Sequence, residues 1–385
     1  MITDTDTLAD FCRRMDSADF LAIDTEFMRE STYWPILCVA QVAGPDEAAA
    51  IDALADGLDL TPLFELLLDP RHLKVFHSGR QDIEIIFNRT GRLPLPVFDT
   101  QLAAMVCGFG ESVAYETLVN RLAGKRLDKS SRFTDWAHRP LSERQLRYAL
   151  DDVIHLRTVY EALAAKLAES GRESWLEEEL ADLTAQETYT QPPDAAWRRL
   201  RTRSTDCRFL AVLREVAAWR ELEAQRRNVP RGRVLRDDAI MEIAAHAPKT
   251  VEDLARTRGL GRSTAEGRHG AAILEAVQRG RALPADQMPV PPSRPNLPPG
   301  LGPKVDLLRV LLKMCCEDAG VAQKLVASGD DLELIAADDD ADVRSLSGWR
   351  RAVFGEQALA LKHGHIALGV AGKRLRVIPV ADEAP

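Results

Sequence analysis

Apolar residues recur with two different periods along the first half of the chain. Short apolar runs at 20–27, 36–42 and 73–77 are typical of β-strands. The stretches 82–88 and 141–167 instead repeat apolar residues at the spacing of a helix face. Because strands and helices alternate, we predict an α/β domain over residues 1–190.

Proline residues separate this domain from two further segments. Eight of the 21 residues in 283–303 are proline, and such a run can neither continue a helix nor enter a central strand. We therefore predict an extended linker at 284–303. A weaker break lies at 191–194. The segments 203–283 and 304–380 show helical periodicity, and each is predicted to be a small all-α bundle.

The net charge of −9 conceals an uneven distribution of charge. Residues 197–285 contain 19 Lys and Arg against 11 Asp and Glu, whereas residues 1–196 contain 19 against 34. Because Lys and Arg bind phosphate backbones, the middle segment is the predicted place for contact with a polyanion. The carboxylates of the first segment must serve a different purpose.

The beginning of the chain and its cysteines point to a protein that works inside the cell. Residues 1–14 contain neither a basic start nor an apolar stretch, which argues against a signal peptide. No run approaches the roughly 18 apolar residues of a membrane span. The six cysteines form no Cys-x-x-Cys pair, which disfavours disulfides or a zinc site. We expect a cytoplasmic protein without membrane contact.

Five side chains of the first segment are candidates for one site. Asp24 and Glu26 end the strand 20–27 and share a face, since they are two residues apart. Asp82 lies in the first turn of the helix after 73–77. Tyr148 and Asp152 are four apart on one helix face. Taken singly, each has an ordinary alternative: a solvated strand end, a helix cap or a tyrosine at the edge of a core.

Four acids gathered in one domain require compensation. They would repel one another, and some would be protonated, unless cations balanced them. Oxygen ligands suit Mg²⁺ or Mn²⁺, whereas zinc prefers His and Cys. Two divalent metal ions are the simplest explanation, and we predict no organic cofactor.

The order and spacing of these five residues resemble the DEDD exonuclease superfamily in its tyrosine subclass. The phrases around them, at 24–30, 77–82, 98–102 and 129–142, are similar to those of the ribonuclease D family. The resemblance covers nearly the whole first segment. It implies a ribonuclease-H-like sheet of mixed strand direction, with helices on both faces, in an enzyme that removes nucleotides from the 3′ end of RNA.

The resemblance also implies a role for each of the five residues. Asp24 would bridge both metals, Glu26 and Asp82 would serve the second metal, and Asp152 would complete the first. Tyr148 would orient or deprotonate the attacking water. Two metals can supply a nucleophile at neutral pH and compensate the charge on the leaving 3′ oxygen. A tyrosine with its ordinary pKa of about 10 is a poor base by itself.

The two helical segments resemble HRDC domains, which occur beside exonucleases and helicases. In the first, Arg226, Arg227, Arg231 and Arg233 cluster around one turn and suit backbone phosphates. A bundle that only docks protein remains the alternative. The second is more divergent and more acidic, and we expect a packing or clamping role for it.

Other residues of the first segment allow two interpretations each. Phe27 could stack on the terminal base of the RNA or pack in the core. Lys129, Arg132 and Arg139 could meet phosphates or remain solvated. Asp99 is predicted to cap the helix that follows it.

The predicted function is that of a monomeric 3′-to-5′ exoribonuclease that releases nucleoside 5′-monophosphates. The family resemblance implies 3′ maturation of tRNA precursors and other small structured RNAs. Two alternatives remain open at this point: an exonuclease for single-stranded DNA, and a catalytically silent RNA-binding scaffold.

Overall fold

The computed structural model describes residues 1–128, 134–291 and 297–380. The strands, labelled β1 to β7, are Phe20–Met28, Ile36–Ala43, Ala48–Asp52, Leu73–Phe76, Val97–Asp99, Ile366–Ala371 and Arg374–Pro379. The α-helices, labelled α1 to α18, are Thr5–Arg14, Thr61–Leu68, Arg80–Thr90, Thr100–Val106, Tyr115–Leu118, Glu143–Ser170, Glu173–Thr184, Cys207–Arg227, Arg231–Val234, Asp237–His246, Val251–Ala255, Arg262–Glu266, Arg268–Ala282, Gly302–Ala319, Gln323–Val326, Gly329–Ala337, Gly348–Arg350 and Glu356–Lys362. Within these ranges, no helix combines the length and the apolar character needed to cross a membrane.

Strands β1 to β5 form one sheet in the order β3-β2-β1-β4-β5. The pairs β1/β2 and β2/β3 are antiparallel, whereas β1/β4 and β4/β5 are parallel. The mixed strand direction expected from the resemblance is confirmed. The sequence pattern did not reveal β3 and β5, because β3 is mostly alanine and β5 has three residues.

Different helices cover the two faces of this sheet. On one face, Ala22 of β1 and Val75 of β4 pack in a buried cluster with Val153 of α6. On the other face, Ile23 of β1 packs in a second cluster with Ile83 of α3. Alternate residues of β1 therefore point to opposite faces, and two independent cores hold the strand in one register.

Helix α6 is the long element that lies across the first of these faces. Its N-terminus is a capping box: the Ser142 hydroxyl accepts from the Gln145 N–H, and the Gln145 side chain accepts from the Ser142 N–H. The helix is 28 residues long and ends at Ser170; Gly171, which follows it, has a φ of 63° in the left-handed region. A helix defined at both ends presents its side chains to the sheet in one orientation.

The second segment builds a core of its own. Trp197 and Leu200 pack in one cluster with Leu213 of α8 and Ile273 of α13. Trp197 lies in the 3₁₀ turn Pro193–Arg199, and Leu200 directly follows this turn. The bundle therefore begins earlier than the predicted boundary at 203, because these side chains complete its core.

The third segment does not form a separate core. Leu308 and Leu312 of α14 lie in the same buried cluster as Val106 of α4 and Leu163 of α6. Helix α14 also begins inside the predicted linker, since Pro303 occupies its first turn, where proline is tolerated.

The expectation that the third segment is all-helical was wrong at its end. Strands β6 and β7 pair as an antiparallel hairpin. Leu368 and Val377 lie opposite each other and pack against the large cluster. In the sequence, the apolar residues of β6 alternate with small residues and those of β7 with arginines, and this strand pattern was not recognised.

Aromatic and polar contacts fix the third segment on the first. The rings of Trp175 and Trp349 stack with centroids 4.1 Å apart and planes 9° apart. The Arg172 guanidinium lies over Trp175 at 4.7 Å and donates to the carbonyls of Ala319 and Gly320 at 2.6 and 3.1 Å. These contacts agree with the expected packing role.

Candidate active site

Strand β1 presents two acids to the face covered by α6. Asp24 lies opposite Gln41 of β2, and Glu26 lies opposite Val39. Val39 packs in a small buried cluster with Ala149 of α6, which identifies the face. The pairing shifts by one residue between Glu26 and Phe27, so the ladder is irregular directly after the second acid.

Helix α6 brings the third acid. Carboxylate oxygens of Asp24, Glu26 and Asp152 lie within 4.8 Å of one another. One turn before Asp152, Tyr148 forms a side-chain hydrogen bond with it. The structure therefore joins residues that are more than a hundred positions apart in the sequence, as predicted from their spacing on the strand and the helix.

Asp82 approaches the same place from the other face of the sheet. It lies in the first turn of α3 and is 7% exposed. Thr25, between the two acids of β1, donates its hydroxyl to the Asp82 carboxylate. Asp82 also lines the cleft that contains the other acids. The expected set of four acids thus surrounds one cleft, with three of them in the tighter group.

The cleft has a volume of about 550 Å³. Its walls combine the acids with aromatic and uncharged polar side chains. Besides the four acids and Tyr148, the lining includes Phe27, His77, Ser78, Gln81, Gln101, Ser112, Tyr115 and Leu127. A space of this kind can admit the end of a nucleic-acid strand and keep it beside the carboxylates.

The four acids destabilise one another's charged forms. Burial and the charges of Asp82, Asp152 and Glu26 raise the pKa of Asp24 well above its ordinary range. Burial and the charges of Asp152 and Asp82 raise the pKa of Glu26 to about 8. Burial raises the pKa of Asp82 to about 6, although the hydrogen bond from Thr25 lowers it. Without compensating cations, this cluster retains protons at neutral pH.

These residues fit divalent cations. The ligand atoms are carboxylate oxygens, which Mg²⁺ and Mn²⁺ prefer. Three of them are already within 4.8 Å of one another. Bound cations would also reverse the repulsion that raises the pKa values.

Tyr148 is better suited to orient a group than to remove a proton. Burial and the charges of Asp152 and Glu26 raise its pKa above the ordinary value. The phenol therefore stays protonated at neutral pH and acts as a hydrogen-bond donor. This agrees with the sequence argument that Tyr148 is a poor base.

Tyr115 is a residue of the site that the sequence did not reveal. Its hydroxyl donates to the backbone carbonyl of Asp152 at 2.6 Å. Its ring lies 5.4 Å from that of His77, whose Nδ1 is 3.0 Å from the Thr100 hydroxyl. Tyr115 lies in the four-residue helix α5, too short to give a periodic signal, and its partners come from distant elements.

The position of Phe27 is compatible with both interpretations made from the sequence. It lines the cleft and packs against the core on the α3 face. A ring held from one side can still offer its other side to a base.

Three of the four arginines predicted to contact RNA lie at the surface of the second segment. Arg226 pairs with Glu223 at 2.8 Å, and Arg227 is 3.9 Å from the same carboxylate. Arg233 is exposed. Phosphate contact at these three positions stays a prediction.

Arg231 has a different place. Its guanidinium lies over the Tyr33 ring at 4.6 Å and donates to the buried Glu221 carboxylate at 2.6 and 2.7 Å. Tyr33 itself donates to Glu221, and the Asn228 side chain accepts from the N–H groups of Tyr33 and Trp34. These contacts place Arg231 at the interface between the first and second segments, and RNA contact at this position stays a prediction.

The remaining predictions have mixed outcomes. Asp99 caps α4 by accepting from the first two N–H groups after Thr100, so that prediction is confirmed. Arg139 is held by the buried Asp52 carboxylate at 2.6 and 2.8 Å, and phosphate contact there stays a prediction. Lys129 and Arg132 lie outside the described residues.

Comparisons with known proteins agree with this geometry. Residues 1–168 match the family model for a 3′-5′ exonuclease, and residues 209–277 match that for the HRDC domain. The chain is 52% identical over 378 residues to a ribonuclease D of Nitrobacter hamburgensis, covering 98% of this chain and 99% of that protein. It is 45% identical over 385 residues to a ribonuclease D of Zymomonas mobilis, covering 100% and 99%.

Solved structures agree as well. The crystal structure of Escherichia coli RNase D, described as an exoribonuclease involved in structured RNA processing, is similar with a TM-score of 0.78 and 30% identity. The match covers 95% of this chain and 98% of that one. The catalytic core of RRP6 from Trypanosoma brucei, at 20% identity and a TM-score of 0.55 over 73% of this chain and 80% of that one, is similar in fold.

Proposed function

Because the chain belongs to the ribonuclease D family and is a metal-dependent 3′-to-5′ exoribonuclease, we propose that its acid cluster holds two divalent cations at the 3′ end of an RNA strand. One observation carries the proposal: carboxylate oxygens of Asp24, Glu26 and Asp152 lie within 4.8 Å of one another. Asp82 lines the same cleft. The cations are Mg²⁺ or Mn²⁺, which match an all-oxygen set.

Each acid has a role in this proposal. Asp24, whose neighbours in the cleft are the other three acids, would hold both cations. Asp152 would help to hold the first, and Glu26 and Asp82 would help to hold the second. Cations there would make a water more acidic and compensate the charge that develops on the leaving 3′ oxygen.

The protein's own groups orient the reactants. Tyr148, hydrogen-bonded to Asp152, positions the attacking water next to the terminal phosphodiester. Tyr115 fixes the Asp152 carbonyl and so holds this part of α6 against the cleft. Phe27 receives the terminal base. Hydrolysis at the last phosphodiester releases a nucleoside 5′-monophosphate.

The proposed substrates are tRNA precursors and other small structured RNAs with extra 3′ nucleotides. The basic second segment supports this, since 19 Lys and Arg against 11 acids in 197–285 favour a polyanion. The Escherichia coli relative is described as acting in structured RNA processing. We propose that the enzyme works as a monomer in the cytoplasm, and that Arg226, Arg227 and Arg233 contact RNA phosphates.

The test compares acids inside and outside the cluster. Asp24→Ala and Asp152→Asn should abolish shortening of a tRNA precursor with extra 3′ nucleotides while the circular dichroism spectrum is preserved. Asp151→Asn, one residue from Asp152 on α6, is the matched control and should keep the parent rate. Turnover near the parent rate in Asp24→Ala or Asp152→Asn would refute the proposal.

Two further experiments distinguish this function from a silent scaffold and from a DNA exonuclease. EDTA should stop the reaction, and a parent protein that never shortens RNA in Mg²⁺ or Mn²⁺ would favour a silent scaffold. Matched RNA and DNA oligonucleotides test the sugar preference, because the ribose 2′-hydroxyl is the group that differs. Faster turnover of DNA would favour the DNA exonuclease.

A further inference from the structure

Gln41 is a polar residue in the middle of the sheet. It lies on β2 with Asp24 of β1 as its cross-strand partner on one side and Ala50 of β3 on the other. Paired residues of neighbouring strands point to the same face. Val39, two residues before it, and Ala50 both pack with Ala149 of α6. The Gln41 side chain therefore points to the α6 face, as Asp24 does.

The amide of Gln41 is buried without a hydrogen bond. Its exposed fraction is 0%. In the part of the chain that the structure describes, both its Oε1 and its Nε2 lack a partner. Buried amides nearly always have partners, so a buried amide that lacks one calls for an explanation, such as a bound water or a functional role.

Asp24 is the carboxylate directly paired with Gln41 across the strands. Along β2 the neighbours of Gln41 on this face are Val39 and Ala43, which are apolar. The polar residue beyond Ala50 on β3 is Asp52, whose two oxygens are both bound by Arg139. Directly paired residues have Cβ atoms about 4.5–5.5 Å apart, a span that a glutamine amide can cross directly or through one buried water.

We propose that Gln41 is a positioning residue that donates a side-chain N–H to the Asp24 carboxylate and fixes its orientation toward the cleft. The inference rests on the proposed metal-binding role of Asp24 and names a residue that supports it. A carboxylate that holds cations needs a second partner to define its rotamer. The amide supplies a neutral donor there, so it orients Asp24 without a positive charge that would compete with the cations.

The experiment measures Mn²⁺ binding directly, in the full-length protein without RNA, by isothermal titration calorimetry. Gln41→Met keeps the length of the side chain and removes its hydrogen bonds, and Gln41→Leu is a second variant with the same expectation. We expect Mn²⁺ affinity to fall 10- to 100-fold, the usual effect of losing a group that orients a metal ligand. The kcat should fall by a similar factor, and the KM for an RNA oligonucleotide should stay within twofold.

Val42→Ala is the matched control. Val42 is the next residue on β2, buried on the opposite face among the α3 cluster. Its truncation should lower the melting temperature and leave Mn²⁺ affinity unchanged. Gln41→Met should lower Mn²⁺ affinity without a comparable fall in the melting temperature, since methionine fills the same buried space with an apolar group.

The outcomes separate the inference from the function on which it rests. A parent protein that fails to bind Mn²⁺ would overturn the proposed metal site itself. A parent that binds Mn²⁺, with either Gln41 variant binding it within twofold, would overturn the role of Gln41 alone.

Discussion

Removing the Glu26 charge should stabilise the metal-free protein at pH 8. Burial and the neighbouring acids raise the pKa of Glu26 to about 8 from an ordinary value of 4.5. The native state then holds a proton that the unfolded chain has released, so stability falls as the pH rises from about 4.5 toward 8. Gln has nearly the same shape and cannot ionise, so Glu26→Gln should lose less stability than the parent in this range.

The magnitude follows from the size of the pKa change. At about 1.4 kcal/mol per pH unit, a rise from 4.5 to about 8 sets an upper limit of about 5 kcal/mol at pH 8. Because Asp24, Asp82 and Asp152 share the same repulsion, removing one charge relieves part of it, and we expect about 1–3 kcal/mol. The variant and the parent should differ little at pH 4.5.

The assay is urea unfolding in EDTA at pH 4.5 and pH 8, followed by the fluorescence of the tryptophans. The midpoint of Glu26→Gln should exceed that of the parent at pH 8. Saturating Mn²⁺ should reverse the order, because it stabilises the parent by its binding free energy and the variant less. A variant that is less stable than the parent at pH 8 in EDTA would refute the reasoning that these acids repel one another.

Three further changes test other parts of the molecule. Tyr148→Phe should lower kcat by about 10²- to 10⁴-fold with Mn²⁺ affinity preserved in calorimetry. Tyr160→Phe, also on α6 but with its ring against Phe20 and Phe98, should leave kcat unchanged, and equal rates in the two variants would remove Tyr148 from the mechanism. Arg231→Met leaves Glu221 buried without its main partner and should cost about 2–5 kcal/mol in the urea transition of the second segment; a loss of RNA affinity with unchanged stability would instead return Arg231 to the RNA surface. Trp349→Ala removes one ring of the stacked pair and should cost about 3–5 kcal/mol, seen as faster protease cleavage in 284–303; an unchanged cleavage rate would contradict a shared core.

The parts of the fold with a strong local signal could be predicted. β1, β2 and β4 contain apolar runs, and α6 has both helical spacing and a serine cap. β3 contains mainly alanine, which has little preference for strands, and becomes a strand because β2 pairs with it. The merging of the third segment with the first also depends on contacts between distant residues, for which a single sequence gives no pattern.

The residues of the candidate site also differ in whether the sequence predicts them. Asp24, Glu26, Tyr148 and Asp152 each have a spacing that places them on one face of a strand or helix, and the structure gathers them. Tyr115 and Gln41 could not be found in this way, since each acts through a neighbour in another element. The pairing of Arg231 with Glu221 could not be predicted, because an arginine within a basic cluster has the same sequence signal whether it meets a phosphate or a buried carboxylate.

The alternation of β1 is what lets one strand collect acids from both faces of the sheet. Asp24 and Glu26 face α6 and meet Asp152, while Thr25 between them faces α3 and meets Asp82. A shift of β1 by one residue would exchange these faces and separate the acids. The two buried cores that hold the register of β1 therefore also determine where the carboxylates meet. We conclude that the packing of this strand, more than any local motif, makes the repelling acids converge on one cleft.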